Sequence, residues 1–275
     1  MPIVAADDGL ALPEVGPWSK RKYHFLSRYI SAFTVAMRNK WPELHYIDLF
    51  AGAGFARIRD TSEIVLGSPM LAAATLTPFT RIHVCERDAA NLKALKTRLG
   101  RAQLTNPARI VPGDANAVIH DLVAQVPQQG ALCLTFADPF GLHLDFATVE
   151  VIANLNGDLV LLFADNMDAL RNWAAYYKSN PQSNLDRFMG EGGWRDLLEK
   201  SPSDQAADKL KKRYEQQLRA RCGYKHFAYQ RVRNSHDRDI YTLVYATKHK
   251  IGITIWNKVS GIDEKGQRSF IFPED

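Results

Sequence analysis

The chain has 275 residues, 46% of them hydrophobic, and 35 Lys and Arg against 30 Asp and Glu give it a formal charge of +5. These proportions describe a globular chain and exclude a disordered or fibrous one. The charge is uneven, because residues 209–250 hold 12 Lys/Arg against 3 Asp/Glu, a local +9 that leaves the remainder acidic.

No stretch approaches the ~20 apolar residues that would cross a bilayer, and the N-terminal MPIVAADDGLALPEVG lacks both a basic n-region and a continuous apolar h-region. A cytoplasmic protein with no membrane partner is expected. Cys85, Cys133 and Cys222 fit no metal-ligand spacing, so reduced structural thiols and no metal are expected.

Residues 1–17, with Pro2, Pro13 and Pro17 and no periodicity, read as an irregular or mobile leader. From Ser19 to Lys40 the residues Tyr23, Leu26, Tyr29, Ile30, Phe33 and Met37 recur at helical spacing until Pro42, which predicts an amphipathic helix. Apolar runs at 44–50, 81–86, 109–111, 131–137 and 158–164 then alternate with helical stretches at 69–76, 88–99, 115–125 and 145–155. Strands apolar throughout and separated by helices imply a parallel sheet covered on both faces. Between 166 and 203, Asn, Gly, Pro and Ser mix with Trp173, Tyr176, Tyr177, Phe188 and Trp194, which predicts a helical cap insertion. Ala207, Leu210, Tyr214 and Leu218 mark one face of a basic helix. The runs 225–232 and 239–246, joined by the polar turn Asn234–Arg238, must pair antiparallel. The expected fold class is therefore α/β: a doubly wound, mostly parallel seven-stranded sheet with a C-terminal antiparallel hairpin, the Rossmann-like layout of class I methyltransferases. Residues 18–275 are expected to form one such domain.

The first strand ends in Asp48-Leu49-Phe50-Ala51-Gly52-Ala53-Gly54, where missing side chains let the backbone approach a nucleoside and a methionyl group. Asp48 just before the turn is suited to an ammonium. The second strand ends in Glu86-Arg87, where nucleotide-binding α/β folds place a carboxylate for the ribose hydroxyls, while Asp88 reads as an N-cap. The third ends in Gly113-Asp114-Ala115, with an acid suited to an adenine amine or to a helix cap. Three acids converging on one crevice point to S-adenosylmethionine. The fourth strand delivers Asp138-Pro139-Phe140-Gly141 to the same edge, supplying an acceptor for the hydrogen bonds of an amine and an aromatic surface for a base, the expected catalytic group. Trp18, Lys20, Tyr23 and His24 at the start of the first helix are expected across the methionine end of the cofactor, with core packing as the other reading for Tyr23. The long stretch Phe55–Gly67, carrying Arg57, Arg59 and Asp60, reads as a loop able to fold over substrate, closed by Ser68 as N-cap before Pro69. Lys209, Lys211, Lys212, Arg213, Arg219, Arg221, Lys225, Arg231 and Arg233, with Tyr214, Phe227 and Tyr229 interleaved, read as a solvated face or a phosphate-tracking surface for nucleic acid.

Together KYHFLSRYI, YIDLFAGAGFARI, LGSPMLA, ADPFG and KHKIGITIWNKV resemble the family of three-Cys-motif partner proteins, from about Trp18 to Val259. The resemblance implies a class I methyltransferase fold and a radical-enzyme-like partner that bears the three cysteines. Asp-Pro-Phe-Gly is also similar to the motif of tRNA guanine-amine dimethyltransferases, with Phe140 and Gly141 standing where adenine-amine enzymes carry a second proline and an aromatic. An amine acceptor follows from that likeness, as do binding roles for Asp48, Gly52, Gly54, Glu86 and Asp114. A cofactor-binding module without turnover, and a small-molecule methyltransferase, are the alternatives.

Overall fold

The computed structural model describes residues 3–234 and 238–260. Residues 235–237 of the expected turn and 261–275 of the expected domain lie outside the described residues. In chain order the first elements are strand β1 (Glu14–Val15), helix α1 (Ser19–Met37), strands β2 (Glu43–Asp48), β3 (Phe55–Ile58) and β4 (Ile64–Leu66), and helix α2 (Ser68–Ala73). Next come β5 (Arg81–Glu86), α3 (Ala89–Arg101), β6 (Arg109–Pro112), α4 (Ala115–Val123), β7 (Ala131–Ala137), α5 (Phe146–Ala153) and β8 (Gly157–Phe163). Two π-helical turns (Asp165–Leu170 and Trp173–Tyr177) lead to α6 (Asn184–Met189), α7 (Trp194–Glu199), α8 (Ser203–Cys222), β9 (His226–Arg233), β10 (Asp239–Thr247) and α9 (Lys250–Ser260).

The main sheet has seven strands in the order β6-β5-β2-β7-β8-β10-β9. The first five are mutually parallel, and β10 runs antiparallel to both of its neighbours. This is the doubly wound, Rossmann-like methyltransferase arrangement that the alternating runs predicted. Strands β2, β7 and β8 are buried almost from end to end, because helices cover both faces.

Helix α1 turns Phe25, Leu26, Tyr29, Ile30, Phe33 and Met37 inward at three- and four-residue spacing, and it packs on α2 and α9. Helix α9, which the sequence reading did not identify, stacks Trp256 on Tyr245 at 4.4 Å and meets Phe25 edge-on at 4.5 Å. Tyr29 and Tyr245 both donate to the buried Asp158 (2.9 and 2.8 Å). On the opposite face Phe163, Phe188 and Tyr214 form a stack that joins β8, α6 and α8.

Two expectations for the segment after the glycine turn are corrected. Residues 55–66 fold as the antiparallel hairpin β3–β4, with β1 added parallel to β3, in place of an open loop. Phe55, Ala56 and Ile58 are buried and fix the hairpin, while Asp60 and Ser62 turn it at φ 72° and 56°. The N-cap of α2 is Gly67 and not Ser68, with Pro69 in the first turn. Ser68 is instead buried, and its side chain lowers the Asp48 carboxyl against the effect of burial.

Residues 3–17 are irregular outside β1, yet they are anchored. Asp8 accepts from Arg98 (2.6 and 3.2 Å) and from Arg101 (2.9 Å). Arg98 is 2% exposed and also donates to the Ala11 and Ala53 carbonyls, thereby tying the leader to the glycine turn. The three cysteines are free and buried, and burial pushes the Cys85 and Cys133 thiols up to about 12. Among the described residues no helix is long and apolar enough to cross a membrane.

Candidate active site

The carboxyl ends of β6, β5, β2 and β7 open on one pocket of about 360 Å³. Its position follows from topology. The chain runs from β2 outward to β5 and β6, then returns to β7 on the other side of β2, and this reversal opens a crevice between the loops. Phe50 and Gly52 from the first loop, Glu86 and Arg87 from the second, Asp114 and Ala115 from the third, and Asp138 and Phe140 from the fourth all line it. The sequence missed His143, which lines the same pocket from the loop before α5.

Backbone hydrogen bonds hold the strand ends together, from Ala51 N–H to the Cys85 carbonyl (3.0 Å) and from Gly113 N–H to the Glu86 carbonyl (3.0 Å). Glu86 is 9% exposed and accepts from Gly52 N–H through Oε2 and from Asp88 N–H through Oε1, each at 2.7 Å. A carboxylate oxygen has a second lone pair, so Glu86 shapes the glycine turn and still presents acceptors to a diol. Gly52 has φ +63° with open space where a Cβ would stand, whereas a Cβ on Gly54 would lie 3.2 Å from Met70. The first glycine serves the turn and its open face; the second serves packing.

Asp114 is the N-cap of α4, accepting from Asn116 N–H at 2.9 Å, and Arg87 approaches it at 3.6 Å. Asp88 caps α3 through Asn91 N–H (2.8 Å). Asp48 is fully buried beneath the pocket floor, where its carboxyl accepts from Phe50 N–H and from the Tyr46 hydroxyl (both 3.3 Å). Burial pushes it up to about 7 against the partial help of Ser68 and Phe50. An acid whose folded value is raised holds its proton in the native state after the unfolded chain has released it. Its contribution is complete below about 3.8 and is lost as the pH rises to about 7. Asp48→Asn should therefore flatten the fall in urea midpoint that the wild-type protein shows between about pH 4 and about pH 7.

Pro139 is buried and Phe140 is 90% exposed at the rim. Gly141, at φ +75°, bends the chain against Asp168, which accepts from Leu142 N–H (3.1 Å), Asn172 (2.9 Å) and the Tyr177 hydroxyl (2.7 Å). The π-helical turns thus brace the loop that presents Phe140. The Asp138 carboxylate pairs with Lys22 of α1, a residue the sequence reading passed over. Burial opposes the Lys22 charge, but the Asp138 carboxylate, with Tyr23 and Tyr241 beside it, raises the ammonium above the usual lysine range. The available signal was position: Lys22 is four residues before Leu26, on the inward stripe of α1.

Several expected residues lie elsewhere. Lys20 pairs with Glu63 on the surface, Arg57 pairs with Asp7 (2.8 Å), and Arg59 is exposed beyond β3; none lines the pocket. Tyr23 reaches the site only through its ring, 4.8 Å from Lys22 Nζ. Much of the basic segment is neutralised within the fold. Lys211, expected on a phosphate-tracking surface, is buried between Asp165 (3.0 Å) and Asp208 (2.9 Å). Arg221 grips Glu150 with two nitrogens (2.8 and 2.9 Å), and Arg213 and Arg219 pair with Glu191 and Glu215. Arg231 reaches Asp208 and Asp239, and Arg233 reaches Asp239 (2.7 Å). Lys212 remains exposed on α8.

No protein-family model and no curated protein matches the chain. Among solved structures it is similar to an O-methyltransferase from Bacillus cereus in complex with SAH, at 12% identity over 87% of this chain and 85% of the other (TM-score 0.46). TomG, an O-methyltransferase from Streptomyces achromogenes in complex with SAM, is 12% identical over 83% and 79% (TM-score 0.45). TYW2 from M. jannaschii in complex with AdoMet is 13% identical over 78% and 73% (TM-score 0.35). The fold assignment stands on the strand order itself.

Proposed function

We propose that the protein is an S-adenosylmethionine-dependent methyltransferase whose acceptor is an exocyclic amine on a nucleic-acid base. One observation carries the reading: Gly52, Glu86, Asp114, Asp138 and Phe140, from four separate strand ends, border a single pocket. The residues fit the cofactor. Glu86 retains acceptors for a ribose, Asp114 and Ala115 suit an adenine edge, and the open face of Gly52 admits a close approach.

When bound, the cofactor supplies an electrophilic methyl on a sulfonium, so catalysis is mainly a matter of positioning. Asp138 Oδ2 is held by Lys22, which leaves Oδ1 to accept an N–H from the amine and to orient its lone pair. Phe140 offers a ring face to the base, and Asp168 keeps its loop from collapsing into the pocket. Because Phe140 is exposed, Phe140→Ala should shift stability by no more than about 0.5 kcal/mol while lowering methyl transfer, checked by thermal melts beside transfer of labelled methyl groups.

The resemblance carried by KYHFLSRYI and ADPFG supports a radical-enzyme-like, three-Cys-motif partner. A small planar amine is the second reading, favoured by the internal pairing of Lys211, Arg221 and Arg231. Activity on nucleic acid should fall steeply as salt rises, and activity on a small amine should not. The deciding test is titration calorimetry with S-adenosylmethionine and S-adenosylhomocysteine; absence of binding by either ends the reading.

A further inference from the structure

Lys22 has a chemistry that holding Asp138 does not exhaust. Its side chain is 7% exposed and that of Asp138 16%, and the rings of Tyr23 and Tyr241 flank the ammonium at 4.8 and 5.9 Å. Burying two opposite charges often costs more than their attraction returns, so such a pair is weak evidence of a purely stabilising role. A second group beside it is incomplete: the Tyr241 hydroxyl is buried without a hydrogen-bond partner. Buried hydroxyls are ordinarily bonded, and one left open calls for an explanation. An open hydroxyl on a ring 5.9 Å from a buried ammonium suits an incoming oxygen anion.

Strand order indicates which anion. The pocket runs from Asp114 after β6, past Glu86 at the end of β5 and Gly52 after β2, to Asp138 after β7. This inference rests on the cofactor reading above: with adenine near Asp114 and ribose at Glu86, the amino-acid end extends toward β7. We propose that Lys22 and the Tyr241 hydroxyl receive the α-carboxylate of the cofactor's methionine portion. An ammonium carries three protons, so Lys22 can keep Asp138 Oδ2 and donate another to the carboxylate. Asp138 keeps the lysine charged before the ligand arrives. Lys20 is held by Glu63 at the surface, and Arg87 stands beside Asp114 at the opposite end, so neither competes for this role.

The test is calorimetry with two probes, S-adenosylhomocysteine and 5′-methylthioadenosine, which keeps the nucleoside and the thioether but lacks the amino-acid portion. Lys22→Met should weaken S-adenosylhomocysteine by about 10- to 100-fold and 5′-methylthioadenosine by less than about twofold. Tyr241→Phe should give a smaller selective loss, and Lys22→Arg should recover part of the affinity. Equal losses for the two probes in Lys22→Met would mean a merely structural role and overturn the proposal, as would unchanged affinity for S-adenosylhomocysteine. Wild-type protein that binds neither probe overturns the cofactor reading and this inference with it; selective binding lost only in the variants supports both.

Discussion

Replacing Glu86 by Gln is expected to weaken S-adenosylhomocysteine by about 100-fold or more, through the loss of charge-assisted hydrogen bonds to the ligand and to the loop that surrounds it. The side chain does two things at once. Its oxygens take the Gly52 and Asp88 N–H groups at 2.7 Å, and it faces the pocket between the first and second strand ends. An amide of the same shape must turn its NH2 toward one of those two backbone donors, so one N–H loses its acceptor. The glycine turn, with Gly52 at φ +63°, then loses the anchor that fixes its open face. Both adenosine probes carry the ribose, so 5′-methylthioadenosine should suffer as much as S-adenosylhomocysteine, in contrast to the selective loss expected for Lys22→Met. Calorimetry on the folded variant decides the matter. Retained affinity for both probes would move the ribose away from Glu86.

The sequence made this part of the site legible because the fold converts strand ends into neighbours. Four apolar runs, at 44–50, 81–86, 109–111 and 131–137, need only be parallel for the residues at their ends to share an edge, and alternation with helices makes them so. What was hidden depended on contacts between distant segments. Lys22 has no local mark that separates it from Lys20 and Arg21, and only its contacts with Asp138 after β7 and Tyr241 of β10 make it a buried ion-pair partner. The basic segment read as a surface because its counter-charges, Glu150, Asp165, Glu191 and Asp239, arise from four different elements or loops. Ser68 satisfied a capping pattern, but the helix starts at Ser68 itself with Gly67 as its N-cap, and the buried serine acts on Asp48 instead. The β3–β4 hairpin escaped because strands of four and three residues interrupted by Arg, Asp and Ser have no measurable period.

Asp138→Ala should destabilise the protein by about 3–5 kcal/mol, the penalty typical of leaving one member of a buried ion pair alone. The size of the effect comes from Lys22 and not from the attraction itself. With the carboxylate gone, the ammonium remains between the Tyr23 and Tyr241 rings, with its side chain only 7% exposed. Removing both charges tests this origin. Lys22→Met combined with Asp138→Leu replaces the pair by apolar groups of similar size and should recover most of the loss, as buried pairs exchanged for hydrophobic residues commonly do. Urea denaturation of the single and double variants measures the coupling directly, provided the slopes agree. A double variant as unstable as Asp138→Ala would show that the loss does not come from the unpaired ammonium. Recovery would show instead that the fold tolerates the site without its charges, which leaves ligand recognition and chemistry as the reason for keeping a lysine and an aspartate buried at the mouth of this pocket.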